Sequence, residues 1–141
     1  MAALLLDTDV VSATAHADRN PAVAKWIIGQ APNELYLSAV TFGELSRGIE
    51  MLPVGRNRAR LAAWLAEDVI RRFERKILAF DQAAGAIWGR LMADGTTAGR
   101  PRSALDMQIA ATAIRHHLGL ATRNTRDFAG TGVALVNPWT D

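Results

Sequence analysis

Ala3-Leu-Leu-Leu-Asp7-Thr8-Asp9 constrains this chain more than any other stretch, because an unbroken apolar run that ends abruptly in carboxylates has few folded uses. Such a run suits a strand buried on both faces, the situation of a parallel sheet covered by helices. In open sheets of that kind ligands bind beyond the carboxyl ends of the strands. Asp7 is therefore placed at the mouth of a site, and the rest of the chain is expected to bring further acids to it.

Downstream, short apolar segments alternate with amphipathic ones. A short helix is expected over Val10–Ala15, and a second after Asn20-Pro21, with Asn as cap, Pro as first helical residue, and Val23, Trp26 and Ile27 on one side. Leu35–Leu37 reads as a strand, followed by a helix from Ser38 to Leu52 with Phe42, Leu45, Ile49 and Leu52 at helical spacing, stopped by Pro53. A longer helix over Arg56–Phe73 turns Leu61, Trp64, Leu65 and Val69 inward, and Lys76–Phe80 is the third strand. Asp81 caps a helix that breaks at Gly95, where Gly95–Arg102 forms a flexible basic loop. Ser103 opens a helix to Leu118 with Gly119 as its C-cap; Leu120–Thr122 and Val133–Val136 are the last strands. This alternation predicts an α/β fold in three layers, α/β/α, whose central parallel sheet has about five strands and right-handed crossovers.

Composition narrows the classes. With 141 residues, 50% of them hydrophobic, the chain suits one domain spanning 1–141. It holds no cysteine, which excludes disulfides and thiolate metal sites, and no apolar run suited to a signal peptide or membrane span, so a cytoplasmic protein is expected. Basic residues exceed acidic ones by two, and Lys25 and Lys76 are the only lysines. Arginine suits phosphate because its planar fork binds two oxygens at once.

The acids gather on one edge of this fold. Asp7 follows the first strand, Glu44 lies early in the helix after the second, Asp106 opens the helix before the fourth, and Asn124 follows the fourth. Carboxylates brought together repel one another unless a cation compensates, and a hard divalent ion with oxygen ligands, Mg²⁺ or Mn²⁺, is that cation. Local roles compete with this reading. Thr41-x-x-Glu44 and Ser103-x-x-Asp106 both have capping-box spacing, and Asp9 is assigned to capping the first helix. His16, His116 and His117 are read as structural, and Trp26, Trp64 and Trp88 as core. Trp139, in the tail, is free to pack against a partner.

Four segments together resemble the PIN-domain family: Leu4-Leu-Leu-Asp7-Thr8-Asp9-Val-Val-Ser12; Leu37-Ser-Ala-Val-Thr-Phe-Gly-Glu44-Leu with Gly48; Gly99-Arg-Pro-Arg-Ser-Ala-Leu-Asp106-Met-Gln-Ile-Ala-Ala111; and Ala121-Thr122-Arg-Asn124-Thr-Arg-Asp127-Phe128 closing on Val136-Asn-Pro-Trp139. The nearest likeness is to the VapC-type toxins of bacterial toxin–antitoxin pairs, including the FitB-like branch. The resemblance implies a metal-dependent endoribonuclease, commonly a homodimer, inhibited by a cognate antitoxin protein that inserts a tail across the acidic site. It implies Asp7, Glu44 and Asp106 as ligands of Mg²⁺ or Mn²⁺. The family's fourth acid is replaced here by Asn124, and Asp127, three residues on, is the possible substitute. Thr8 and Thr122 carry hydroxyls suited to orienting a carboxylate or water, while Arg100, Arg102, Arg123 and Arg126 are candidates for guiding a single-stranded RNA backbone.

Two other classes share parts of the pattern. Asp7-Thr8-Asp9 also resembles the first motif of haloacid-dehalogenase-type phosphatases, with Asp7 as nucleophile and Asp9 as acid/base, but that chemistry needs a later lysine and a pair of acids after a strand. A binding module with the same fold and weak or absent activity is the third reading, its loss of function beginning at Asn124.

Overall fold

A computed structural model describes residues 3–141 of the chain. Five parallel strands, β1 (Leu4–Leu6), β2 (Leu35–Ser38), β3 (Ile77–Leu78), β4 (Gly119–Ala121) and β5 (Leu135–Val136), lie in the order β3-β2-β1-β4-β5. The chain builds outward from β1 in one direction, then returns to add β4 on its other side. The topological switch therefore falls between β1 and β4, paired Leu6 to Ala121, and the crevice beyond their carboxyl ends is the place where such sheets bind ligands.

Alternation along β1 divides the core. Leu4 and Leu6 point into one apolar layer, with Val10, Val23, Ile27, Leu45 and Val69, and Leu5 into the other, with Leu91, Met107, Ile109 and Phe128. The first layer is closed by α1 (Thr8–Thr14), α2 (Pro21–Ile28), α3 (Ala39–Glu50) and α4 (Arg56–Ala63), which runs through a π-helical stretch, Trp64–Val69, into α5 (Ile70–Arg72). The second is closed by α6 (Gln82–Thr97) and α7 (Ala104–Arg115). The expected three-layer α/β/α sheet is present.

Several local expectations change. The first helix starts at Thr8 rather than Val10, directly after the strand, so Asp7 becomes its N-cap and accepts from the Thr8 N–H. Asn20 precedes α2 without capping it; its side chain donates instead to the His16 carbonyl. Ser38, not Thr41, caps α3, accepting from the Val40 N–H. The third strand is shorter than Lys76–Phe80, covering Ile77–Leu78.

Both glycine stops move as well. The α6 helix does not break at Gly95 but continues to Thr97, and Gly95 is buried because the returning loop crosses it: a Cβ there would sit 2.9 Å from the Arg100 carbonyl oxygen and 3.0 Å from the Arg102 side chain. Gly119 is the first residue of β4, where a Cβ would stand 2.9 Å from Leu4 Cδ2, and His117 takes the left-handed conformation, φ 57°, that ends α7. In both places glycine serves close packing rather than chain reversal.

Candidate active site

At the end of β1 the chain turns so sharply into α1 that Asp7 is only 5% exposed. Its two oxygens are held apart, Oδ1 accepting from the Thr8 N–H at 2.8 Å and Oδ2 from the Thr122 hydroxyl, just past β4, at 2.7 Å. The same Thr122 oxygen accepts from the Asn124 N–H, which fixes the turn after β4 to the acid. Burial above all, then the neighbouring charge of Asp9, raises the Asp7 carboxyl to about 7 against these two hydrogen bonds.

Glu44 reaches the same place from α3. Thr8 donates its hydroxyl proton to Glu44 Oε1 at 2.7 Å, and with that proton committed its oxygen accepts from the buried Thr41 hydroxyl 3.2 Å away. Thr41 and Glu44 thus do not form a capping box. Thr8 and Thr122, expected to orient a carboxylate or water, orient Glu44 and Asp7.

Asp106 sits in the first turn of α7. Ser103 caps that helix, accepting from the Asp106 N–H at 3.3 Å, but the reciprocal bond of a capping box is not formed and the Asp106 side chain stays free to face the pocket. Its carboxyl is raised by partial burial, then by Asp127, Glu44 and Asp9.

The helix-cap role expected of Asp9 belongs to Asp7. In the first turn of α1, Asp9 turns toward β4: Oδ2 accepts from the Arg123 N–H at 3.0 Å and lies 3.4 Å from Asn124 Nδ2, while Oδ1 is buried with no hydrogen-bond partner. Burial raises its carboxyl too. Asp7 is extended, φ −69° and ψ 162°, and Asp9 already belongs to the first turn of α1, so no strand or helix periodicity in the sequence says that the two carboxylates reach one pocket.

Asp7, Asp9, Glu44, Asp106 and Asn124 line one open pocket of about 540 Å³. Asn124 occupies the position opposite Asp9, its amide donating where a further carboxylate would repel. Asp127 is not in this pocket. It lies with Arg100, Arg102 and Arg126 in an adjoining recess of about 690 Å³ that shares Asp106. Of these arginines, Arg102 is committed to the scaffold, donating to the Leu91 carbonyl at 2.8 Å and packing on Gly95. Arg123 borders a third recess, beyond Asp9. No lysine lines the acid pocket, and Lys76 is hydrogen-bonded to the Pro32 carbonyl, so the phosphatase reading lacks its cation.

The residues fit a hard divalent ion by two observations: an orphaned carboxylate oxygen on Asp9, and a buried Asp7 whose charge nothing cationic offsets. Among the described residues, no three acidic or histidine side chains already stand at metal-holding separations.

Fold and pocket together define an α/β protein with an oxygen-lined, acid-rich cleft at the switch point of a parallel sheet. The chain belongs to the PIN-domain family, whose pattern matches residues 4–133. It is 37% identical to VapC ribonuclease Y4jK of Sinorhizobium fredii over 96% of this chain and 97% of that one, and 36% identical to toxin FitB of Neisseria gonorrhoeae over 98% and 99%. The crystal structure of FitAcB from Neisseria gonorrhoeae superimposes with a TM-score of 0.91, at 36% identity and the same coverage. The resemblance carried by the four sequence segments is borne out.

Proposed function

We propose that this protein is a Mg²⁺- or Mn²⁺-dependent endoribonuclease, the toxin of a toxin–antitoxin pair, held inactive by a cognate antitoxin protein. The observation that carries the reading is the convergence of Asp7, Asp9, Glu44 and Asp106 on one open pocket, with an orphaned oxygen and a strongly raised carboxyl among them. The ribonuclease and toxin named among its full-length relatives support the substrate class.

Asp7, Glu44 and Asp106 would hold the ion, with Asp9 beside them. The ion, when bound, supplies a Lewis acid that offsets charge on the phosphoryl oxygens and makes water acidic enough to attack at neutral pH. Asp7 must then be ionised. The Thr122 hydroxyl and Thr8 N–H favour that form, and both are placed before any substrate arrives. The Thr41–Thr8 chain fixes Glu44 in the same way. Arg100 and Arg126, beside Asp106, can take flanking phosphates.

Purified protein freed of any partner should cleave single-stranded RNA with Mg²⁺ or Mn²⁺ and stop in excess EDTA. Asp106→Asn should lower cleavage by more than about 100-fold, since even residues behind metal ligands are commonly worth ~10–100-fold. Its stability should change by no more than about 1 kcal/mol, because Ser103 still caps the helix. Undiminished cleavage in EDTA, with contaminating nuclease excluded, sinks the metal assignment; absence of any cleavage by the wild type favours a binding module instead.

A further inference from the structure

Beyond Asp9 the acid pocket opens into a recess of about 500 Å³ that shares Asp9, Ser12 and His16 with it but is otherwise built of different chemistry. Its far wall is Trp139, packed against the core and held by a clasp in the tail: the Trp139 N–H donates to Asn137 Oδ1 at 2.9 Å, and the Asn137 N–H to Asp141 Oδ2 at 2.8 Å. The Arg123 guanidinium stands over the Trp139 ring, 4.9 Å from its centre. On the opposite rim Arg19 Nη2 donates to His16 Nδ1 at 2.6 Å, which puts the imidazole proton on Nε2 and makes that nitrogen a donor. Among the described residues neither Arg19 nor Arg123 is within ion-pair distance of a carboxylate, although the Arg123 charge draws down the Asp9 carboxyl across the recess.

A planar cation-on-ring surface, two arginines outside any ion pair and an imidazole donor, next to an acid pocket, select their ligand. A metal ion would be repelled, and a simple anion would need the arginines but not the ring. A nucleotide needs both: its base stacks on aromatic or guanidinium planes and its phosphate takes the cations. Resting on the ribonuclease reading above, we propose that Arg123, Trp139, Arg19 and His16 form a nucleotide subsite that receives the base and phosphate of the residue next to the scissile bond of single-stranded RNA. The strand then runs from this recess past the acids toward Arg100 and Arg126. The tail clasp is a positioning device for the base, and Trp139 is a substrate-binding residue.

The test uses the full chain and a fluorescein-labelled single-stranded RNA oligonucleotide of mixed sequence, with binding read by anisotropy in EDTA and cleavage read separately with Mn²⁺. Trp139→Leu should raise Kd and KM together by about 5- to 100-fold, the range of a lost base stack, and leave the salt dependence of binding unchanged. Arg19→Ala should instead lower the slope of log K against log salt by about 0.7, the value of one phosphate contact to a single strand. Trp139→Phe keeps a stacking ring and should restore most of the affinity; it and Arg19→Ala carry the test if Trp139→Leu melts early. If wild type cleaves and all three variants bind and cleave as it does, the subsite is overturned and the ribonuclease reading stands. The subsite is equally overturned if the variants keep RNA binding and cleavage and lose only an inhibitory protein partner. If wild type binds RNA through Trp139 but cuts none, the subsite stands and the nuclease reading falls.

Discussion

At the end of β1 the Asp7 carboxylate is buried and receives a hydrogen bond on each oxygen, one from its own helix start and one from across the switch point; at the start of α7 the Asp106 carboxylate is half-exposed and only its backbone is tied, to Ser103. The first wall of the pocket is fixed before any ligand binds, at the cost of a carboxyl raised to about 7. The second carries its acid on a helix end, close to the charges of Asp127, Glu44 and Asp9, with its own side chain tied to none of them. Preorganisation and adjustability are thus divided between two elements that the chain makes far apart in sequence. A cation entering the pocket would find one ligand already aimed and one able to adapt.

The largest effect that can break this comparison is on stability against pH. Asp7 titrates near 7 when folded against an ordinary aspartate value of 3.8, so between those values the folded protein binds a proton that the unfolded chain does not. Metal-free stability should therefore rise as pH falls through about 7 and level off below about 4, by on the order of a few kcal/mol. Asp9 and Asp106, also raised, act in the same direction. Denaturant midpoints in EDTA at about pH 8 and about pH 5 measure this. Asp7→Asn should flatten the dependence and Asp106→Asn should leave most of it; equal flattening would mean that the two walls do not differ.

Next in size is Thr122→Val, which keeps the shape of the buried side chain and removes the hydroxyl that donates to Asp7 Oδ2. With one hydrogen bond fewer the carboxyl rises further, and the metal concentration for half-maximal cleavage at neutral pH should increase by roughly 10-fold. The penalty should shrink at higher pH, where Asp7 ionises regardless. A midpoint that does not move with either mutation or pH would show that Asp7 is not held for the ion.

The smallest effect is expected at Asn124. Its amide faces Asp9, so Asn124→Asp should sharpen metal binding, lowering the half-maximal concentration by roughly threefold, while the metal-free protein becomes slightly less stable. Asp127→Asn, in the adjoining recess, should leave the midpoint nearly unchanged. A strong response to Asp127→Asn with none to Asn124→Asp would move the fourth position of the site to Asp127.

Much of this architecture is legible in the sequence because the deciding signals are local. The apolar run at Leu4–Leu6, the apolar stripe of the helix after Ser38 and the alternation of segments name the strands and helices directly. The acids can be assigned to one sheet edge because carboxyl ends of parallel strands share an edge. What cannot be read depends on contacts between distant residues. Thr41 and Glu44 have the spacing of a capping box and are instead joined through Thr8, thirty-odd positions away. Asp9 looks like a cap until α1 is seen to begin at Thr8. Gly95 and Gly119 have the residue type of helix stops, yet each is required by a neighbour laid against it by the tertiary fold, Arg100–Arg102 in one case and Leu4 in the other. Arg102 belongs with these, since nothing local says that its guanidinium is taken by the Leu91 carbonyl.

The hydrogen bond between Thr122 and Asp7 joins positions 115 residues apart, and β4, which delivers it, pairs with the strand that is synthesised first of the five. During synthesis β1 and β2 exist long before their partner on the other side, so the Asp7 carboxyl has no Thr122 hydroxyl facing it until most of these residues have emerged from the ribosome. A fragment that stops short of β4 holds Asp7 without the residue that orients it, and without Arg123 beside it. Competence arrives late and at once, when the returning strand closes the switch point. On the ribonuclease reading, the hydrogen-bonded form of Asp7 exists only in chains that already contain Thr122.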